Sequence, residues 1–148
     1  MIRFQVFGIP GPQGSKRHVG NGRLIESSKK VKPWRQDVAA AAIAAMKEQK
    51  IDAPLNGPLD LTVFFRLPMP KSRPAAVRRS GAGWSWRKPD VDKLLRSTLD
   101  ALTTSGLIAD DARISRAIAV KVEVLGWTGA TITLKELDEG PLDTGETE

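Results

Sequence analysis

The order of its periodic segments predicts an α+β domain, a mixed sheet of about four strands covered by two main helices in the order β-α-β-α-β-β. Three observations carry that expectation. Alternating apolar runs stand at both ends of the chain, an alanine-rich stretch of helical period lies in its first third, and a strongly amphipathic helix opens at Asp90. At 148 residues and 41% hydrophobic content, the chain is sized for one domain around one core.

Residues 2 to 9 alternate around Ile2, Phe4 and Val6 and read as the first strand. Gly8 to Gly22 then holds five glycines, two prolines and the cations Lys16 and Arg17, a loop with a hairpin signal at Gly20-Asn21-Gly22. From about Val31 to Gln49 an alanine-rich helix follows, with Trp34, Val38, Ala41, Ala42, Ala45 and Met46 on its apolar face. Leu59 to Leu67 is the second strand. Residues 68–89 read as one long loop, and the stretch from Arg66 to Lys88 has seven cations and no acid. Loops of that length in a compact domain are functional or disordered. A helix from Asp90 to about Thr104 comes next. Strands at Ile114 to Leu125 and Ala130 to Leu137 close the order as an antiparallel hairpin around Gly126-Trp127-Thr128-Gly129. The crossover over the alanine-rich helix is expected to join parallel strands. The domain is placed at 1–137, with 138–148 an acidic, disordered tail. An exposed sheet face or strand edge in such a fold invites dimerisation.

The composition excludes several chemistries. No cysteine means no disulfide, thiolate nucleophile or cysteine-held metal, and His18 alone does not make a zinc site or a histidine triad. No apolar run is long enough to span a membrane, and the N-terminus reads as a strand, not a signal segment. A cytoplasmic setting, in a bacterial or phage-infected cell, is expected. The net charge of +6 hides an asymmetry. Residues 135–148 carry one lysine against six acids, so the body before them stands at +11. So basic a body attracts phosphate backbones.

Within that body, Lys88 to Arg113 reads KPDVDKLLRSTLDALTTSGLIADDAR. Val91, Leu94, Leu95, Thr98, Leu99 and Leu102 mark one buried helix face. Asp90 and Asp92 open the helix, and Asp110 and Asp111 follow it. Two readings compete. Aspartate caps helices and is stabilised by the positive end of the helix dipole. Paired carboxylates in a cationic protein also suit Mg²⁺, which takes one or two carboxylates with waters and substrate phosphates. Asp92, Arg96 and Asp100 are spaced one turn apart, a ladder in which Arg96 tunes a carboxylate or holds a phosphate. Asp110-Asp111 begins a strand, where acids are disfavoured without a reason. The seven residues Ser105 to Asp111 can reach back roughly 23 Å at ~3.3 Å each, enough to return to the helix start.

These residues resemble the signature of the RusA family of Holliday junction resolvases, particularly its phage and prophage branch. The matching parts are Asp90-Val91-Asp92-Lys93-Leu94, Asp100-Ala101-Leu102 and Asp110-Asp111, with Gly11-Pro12-Gln13-Gly14-Ser15-Lys16-Arg17 similar to the family's loop after its first strand. The resemblance implies a homodimeric, Mg²⁺-dependent endonuclease (Mn²⁺ substituting) that cuts four-way DNA junctions by paired symmetric nicks, in recombination, repair or phage DNA processing. It implies metal binding by Asp90, Asp92 and Asp111, with Asp110 beside them, and no organic cofactor. The family's catalytic lysine falls at Arg96. Arginine is a poor proton donor but stabilises a phosphate, and Lys93 offers an ammonium instead.

Lys16, Arg17, Lys29 and Lys30 form one candidate DNA-contact cluster, and Lys71, Arg73, Arg78, Arg79, Arg87 and Lys88 form another. Trp84 and Trp86, set among arginines, are candidates for stacking on unpaired bases. Two alternatives remain: a branched-DNA-binding protein without catalysis, or a metal nuclease acting on flaps or forks.

Overall fold

The computed structural model describes residues 1–14, 16–18, 20, 24–26 and 29–146, of which 16–18 and 24–26 are described by backbone alone. The chain runs β1 (Ile2–Phe7), β2 (Lys16–His18), β3 (Leu24–Glu26), α1 (Val31–Glu48), β4 (Leu59–Pro68), α2 (Ala75–Ser80), β5 (Ala82–Trp84), α3 (Val91–Ser105), β6 (Ile114–Val124) and β7 (Gly129–Glu136). A 3₁₀ turn at Asp111–Arg113 precedes β6. The fold is α+β, with a mixed five-stranded sheet in the order β1-β7-β4-β6-β5 and a separate β2–β3 hairpin.

β4 is the central strand because every second residue is apolar. Leu59, Leu61, Val63 and Phe65 are fully buried, and Leu67 nearly so, while Asp60, Thr62, Phe64 and Arg66 face the other side. The helices α1 and α3 pack together over the buried face. Trp34, Val38 and Ala42 of α1 meet Leu94, Ala101 and Leu102 of α3 in one core with Ile132 and Leu134 of β7. Trp34 Nε1 donates to Thr98 Oγ1 across the helix pair (3.2 Å).

One expectation about pairing is corrected. β6 and β7 run antiparallel but are not hydrogen-bonded to each other, because β4 lies between them. β1 and β4, joined over the alanine-rich helix, run parallel as expected, since each pairs β7 antiparallel from opposite sides. A second parallel connection leads from β4 through α3 to its neighbour β6. The loop expected over 68–89 is also structured. It holds α2, closed by Gly81 at φ +84°, and β5, which adds three residues to the end of β6. Its anchor is a bidentate ion pair, Arg73 to Glu123 on β6 (2.6 and 2.8 Å), with both side chains nearly buried.

Because β5 meets β6 only at Val122–Val124, the outer edge of β6 carries no strand over Ile114–Lys121 among the described residues. Ser115, Arg116, Ala117 and Ile118 are exposed there.

Candidate active site

Asp90 occupies the N-cap position of α3 with an extended backbone, yet its carboxylate makes no capping hydrogen bond. It turns outward to two lysines, Lys88 (Nζ–Oδ1 3.1 Å) and Lys93 (3.6 Å). The hydrogen bond from Lys88, more than the charge of Lys93, holds its carboxyl below the usual aspartate value of 3.8. A cap would sit over the backbone N–H groups, so this carboxylate is available to a cation from outside. Asp92, in the first turn, is exposed and makes no ion pair among the described residues. Val91, expected in the buried face, is only half-buried.

Tertiary contacts fix the start of α3. Gln13 N donates to Lys93 O (3.0 Å) and Ser97 Oγ donates to Gly11 O (2.6 Å), so the glycine loop after β1 lies along the helix. Gly14 sits at φ +129°, and a Cβ there would come within 2.9 Å of the Arg96 guanidinium. Lys121 of β6 donates to the carbonyls of Arg87 and Pro89, tying the residue before Asp90 to the sheet.

The second acidic pair lies at the far end of the same helix. Thr103 Oγ1 donates to Asp111 Oδ1, and Asp110 Oδ1 accepts from Ala112 N (2.7 Å), capping the 3₁₀ turn. Asp110 and Asp111 line a shallow cavity of about 330 Å³ with Arg35, Asp100, Thr103 and Thr104. Asp100 accepts from Gln13 Nε2 and lies 3.9 Å from Arg35, and Arg35 in turn donates to Gln13 Oε1 (3.0 Å).

Of the residues expected to converge, then, Asp90, Asp92, Lys88 and Lys93 share the N-terminal end of α3, and Asp110 and Asp111 share the C-terminal end. Asp92 and Thr103 are eleven positions apart on α3, about 16 Å at ~1.5 Å per residue. No group of three metal-ligating side chains forms among the described residues of one chain. The segment after α3 does not double back as its length allows. Gly106, at φ +86°, ends the helix, and Leu107 and Ile108 enter the core directly below it. The Asp92–Arg96–Asp100 ladder also does not form among the described residues, since Asp100 pairs with Arg35 and Gln13.

The basic residues divide by role. Lys29, Lys30, Lys88 and Lys93 line a cleft of about 650 Å³ beside Asp90. Arg87 stacks on Trp86 (4.4 Å), and Trp86 and Trp84 are 72% and 75% exposed, as a stacking role requires. Lys71 and Arg79 are exposed. Arg73 differs from expectation, since Glu123 consumes it, whereas Arg78 Nη1 donates to Pro70 O (3.0 Å) and its remaining guanidinium N–H groups are not engaged by that bond. The side chains of Lys16 and Arg17 lie outside the described residues. Sequence reasoning missed Lys121 and Glu123, and it gave no hint that Gln13 of the glycine loop meets Asp100 and Arg35; these partners are between 22 and 87 positions away and leave no local pattern.

The family model of the endodeoxyribonuclease RusA matches residues 8–135. The chain belongs to the RusA family. That span covers both acidic pairs, the glycine loop and the main sheet apart from β1, which ends one residue before it, and the last residue of β7. RusA membership makes the chain an endodeoxyribonuclease of the Holliday-junction-resolving class, acting on branched DNA. No curated protein matches the chain. Among the described residues no helix is long and apolar enough to cross a membrane.

Proposed function

We propose that this RusA-family protein resolves four-way DNA junctions by paired symmetric nicks, as a Mg²⁺-dependent homodimer whose two active sites each draw on both subunits. The observation that carries this reading is the separation of the acidic pairs by the length of α3. Asp90 and Asp92 present outward hard-oxygen donors, which fits a cation that needs only one or two carboxylates. A third carboxylate, Asp111, has to come from a second copy.

The free edge of β6 gives a way to supply it. Exposed edges pair readily with other strands. In an antiparallel pairing of two β6 edges about a two-fold axis near Ala117, Lys121 stands opposite the second copy's Arg113. Lys121 holds the Pro89 carbonyl just before Asp90, and Arg113 lies two residues after Asp111. The pairing therefore carries Asp111 of one copy toward Asp90 and Asp92 of the other. It also creates two equivalent sites, as paired nicks require.

In this arrangement Asp90, Asp92 and the second copy's Asp111 hold the cation, which when bound supplies Lewis-acid stabilisation of the scissile phosphate and an acidified water. Asp110 stays a brace for the turn that presents Asp111. Lys93, next to Asp90, balances carboxylate charge in the free protein and is placed to meet the phosphate or leaving oxygen when substrate arrives. Arg96 stabilises phosphate charge from one turn further along. Water attacks phosphorus in line, leaving a 5′-phosphate and a 3′-hydroxyl, so no protein nucleophile is needed. Lys29, Lys30, Lys71, Arg79, Arg87 and Lys88 contact the backbone, with Lys16 and Arg17 on the glycine loop, and Trp84 and Trp86 stack at the branch point.

The test is cleavage of an end-labelled mobile four-way junction in Mg²⁺ or Mn²⁺, beside a flap, a fork and linear duplex, with wild type and Asp92→Asn. Symmetric nicks in the four-way junction, lost in the variant while binding persists, are expected. Tight junction binding without cleavage in either metal would instead make this a binding protein. Preference for flaps or forks would move its substrate.

A further inference from the structure

The cleft beside Asp90 has a composition that the cleavage reaction does not require. Its walls are apolar and rigid: Ile9, Pro10, Pro12, Leu67, Pro70 and Pro89. Proline has no N–H and a fixed φ, so these walls offer flat faces without competing donors. The rim has the opposite character. Arg73 and Glu123, inside the cleft, neutralise each other, and Lys29, Lys30, Lys88 and Lys93 line the cleft together with Asp90. At about 650 Å³ the cleft has the size of pockets that enclose small organic ligands. A flat apolar body carrying an anion is what such a cleft complements.

The neighbouring chain points to the same ligand. Ser85, 8% exposed, places a hydroxyl in the lining, and the residues on either side of it are the exposed Trp84 and Trp86. A base entering the cleft would therefore leave its stacked neighbours within reach of two aromatic platforms.

We infer that this cleft receives one unstacked nucleotide of a branched DNA, with its base between the proline walls and its phosphate at the lysine rim beside Asp90. The inference rests on the junction-nuclease reading and adds to it. The nucleotide next to the scissile phosphate is taken out of the stack before the chain is cut. Selectivity for branch points follows, because an unpaired or weakly stacked base pays the least to leave the helix. The lining, above all the Ser85 hydroxyl, is then where base preference at the cut is read.

The experiment uses the whole protein in EDTA, so that no DNA is cut, and four-way junctions carrying 2-aminopurine at single positions around the branch. Unstacking raises the fluorescence of this base. Wild type is expected to give a several-fold rise at one position per arm flanking the cut. Ile9→Trp and Pro70→Trp, which fill the cleft from its mouth, are expected to abolish that rise while junction affinity changes by less than a few-fold. A rise that persists in both filled variants would overturn the inference, because the unstacked base would then lie elsewhere. Binding by wild type without any rise would overturn it and leave the nuclease reading standing, whereas no junction binding at all would remove both. Should the filled variants not fold, amide shifts of wild type on titration with a deoxydinucleotide decide. Saturable shifts at Ile9, Leu67 and Ser85 support the site, and shifts confined to the lysine rim refute it.

Discussion

Replacing Thr98 by valine tests how α3, and with it Asp90 and Asp92, is held against the rest of the domain. Both Thr98 and Trp34 have no solvent exposure, and the Trp34 indole N–H donates to Thr98 Oγ1 at 3.2 Å. Valine has nearly the shape of threonine, so the substitution leaves no cavity and removes only the acceptor. The second bond of Thr98, to Leu94 O (2.9 Å), is dispensable because that carbonyl lies inside α3 and accepts the backbone N–H four residues on. What remains is one buried, orphaned N–H. Such a group costs about 1–3 kcal/mol. At about 2–4 °C per kcal/mol for a domain of this size, Thr98→Val should lower Tm by about 2–12 °C. Urea unfolding followed by far-UV circular dichroism measures the loss, and Trp34→Phe completes a double-variant cycle. The double variant is expected to lose less than the two singles together, by about 1 kcal/mol, since without the indole there is no donor to orphan. A Thr98→Val protein within about 0.5 kcal/mol of wild type, with no coupling to Trp34→Phe, would refute this account of the helix pair.

Three further outcomes follow from the same contacts. Glu123→Gln should destabilise the protein far more than the joint replacement Arg73→Met with Glu123→Leu, because the first leaves a guanidinium without its carboxylate and the second removes both charges; thermal melts compare them. Gly14→Ala should cost about 1–3 kcal/mol for a side chain at φ +129°, and part of the cost should vanish in an Arg96→Ala background, where the crowding guanidinium is gone, as read by urea titration. Asp90 titrates below the usual 3.8, so its charge, and any stability linked to it, is present above that value and is lost as pH falls through the depressed one. Lys88→Ala should raise the Asp90 pKa toward 3.8 and move that loss to higher pH, which a ¹³C carboxyl NMR titration detects.

Much of the fold could be read from periodicity. The two long helices and the strands β1, β4, β6 and β7 lie where their apolar spacing puts them, within one or two residues. Pairing was less legible, because β4, β6 and β7 share the same alternation and nothing local says that β4 inserts between the other two. β5 is three residues long and is held by a partner forty positions away, so it has no period of its own. At the site, residue type located both acidic pairs and the tryptophans. Their geometry depended on details outside the pattern. Asp90 has the sequence of a cap but turns to lysines, and Gly106 ends α3 so that Asp111 stays at the far end. Arg73 has the sequence of a phosphate contact, but Glu123, the one buried acid of β6, claims it.

The most direct test of the shared active site mixes two inactive proteins. Asp92→Asn and Asp111→Asn are each purified, shown to be inactive, then unfolded and refolded together so that hybrid dimers form. If each site takes Asp90 and Asp92 from one subunit and Asp111 from the other, every hybrid contains one intact site and one doubly damaged site. The mixture should then regain single-strand nicking of a four-way junction without paired resolution. If all three aspartates act within one subunit, every site in the hybrid stays damaged. A mixture as inactive as its parents, with hybrid dimers verified, would contradict the account.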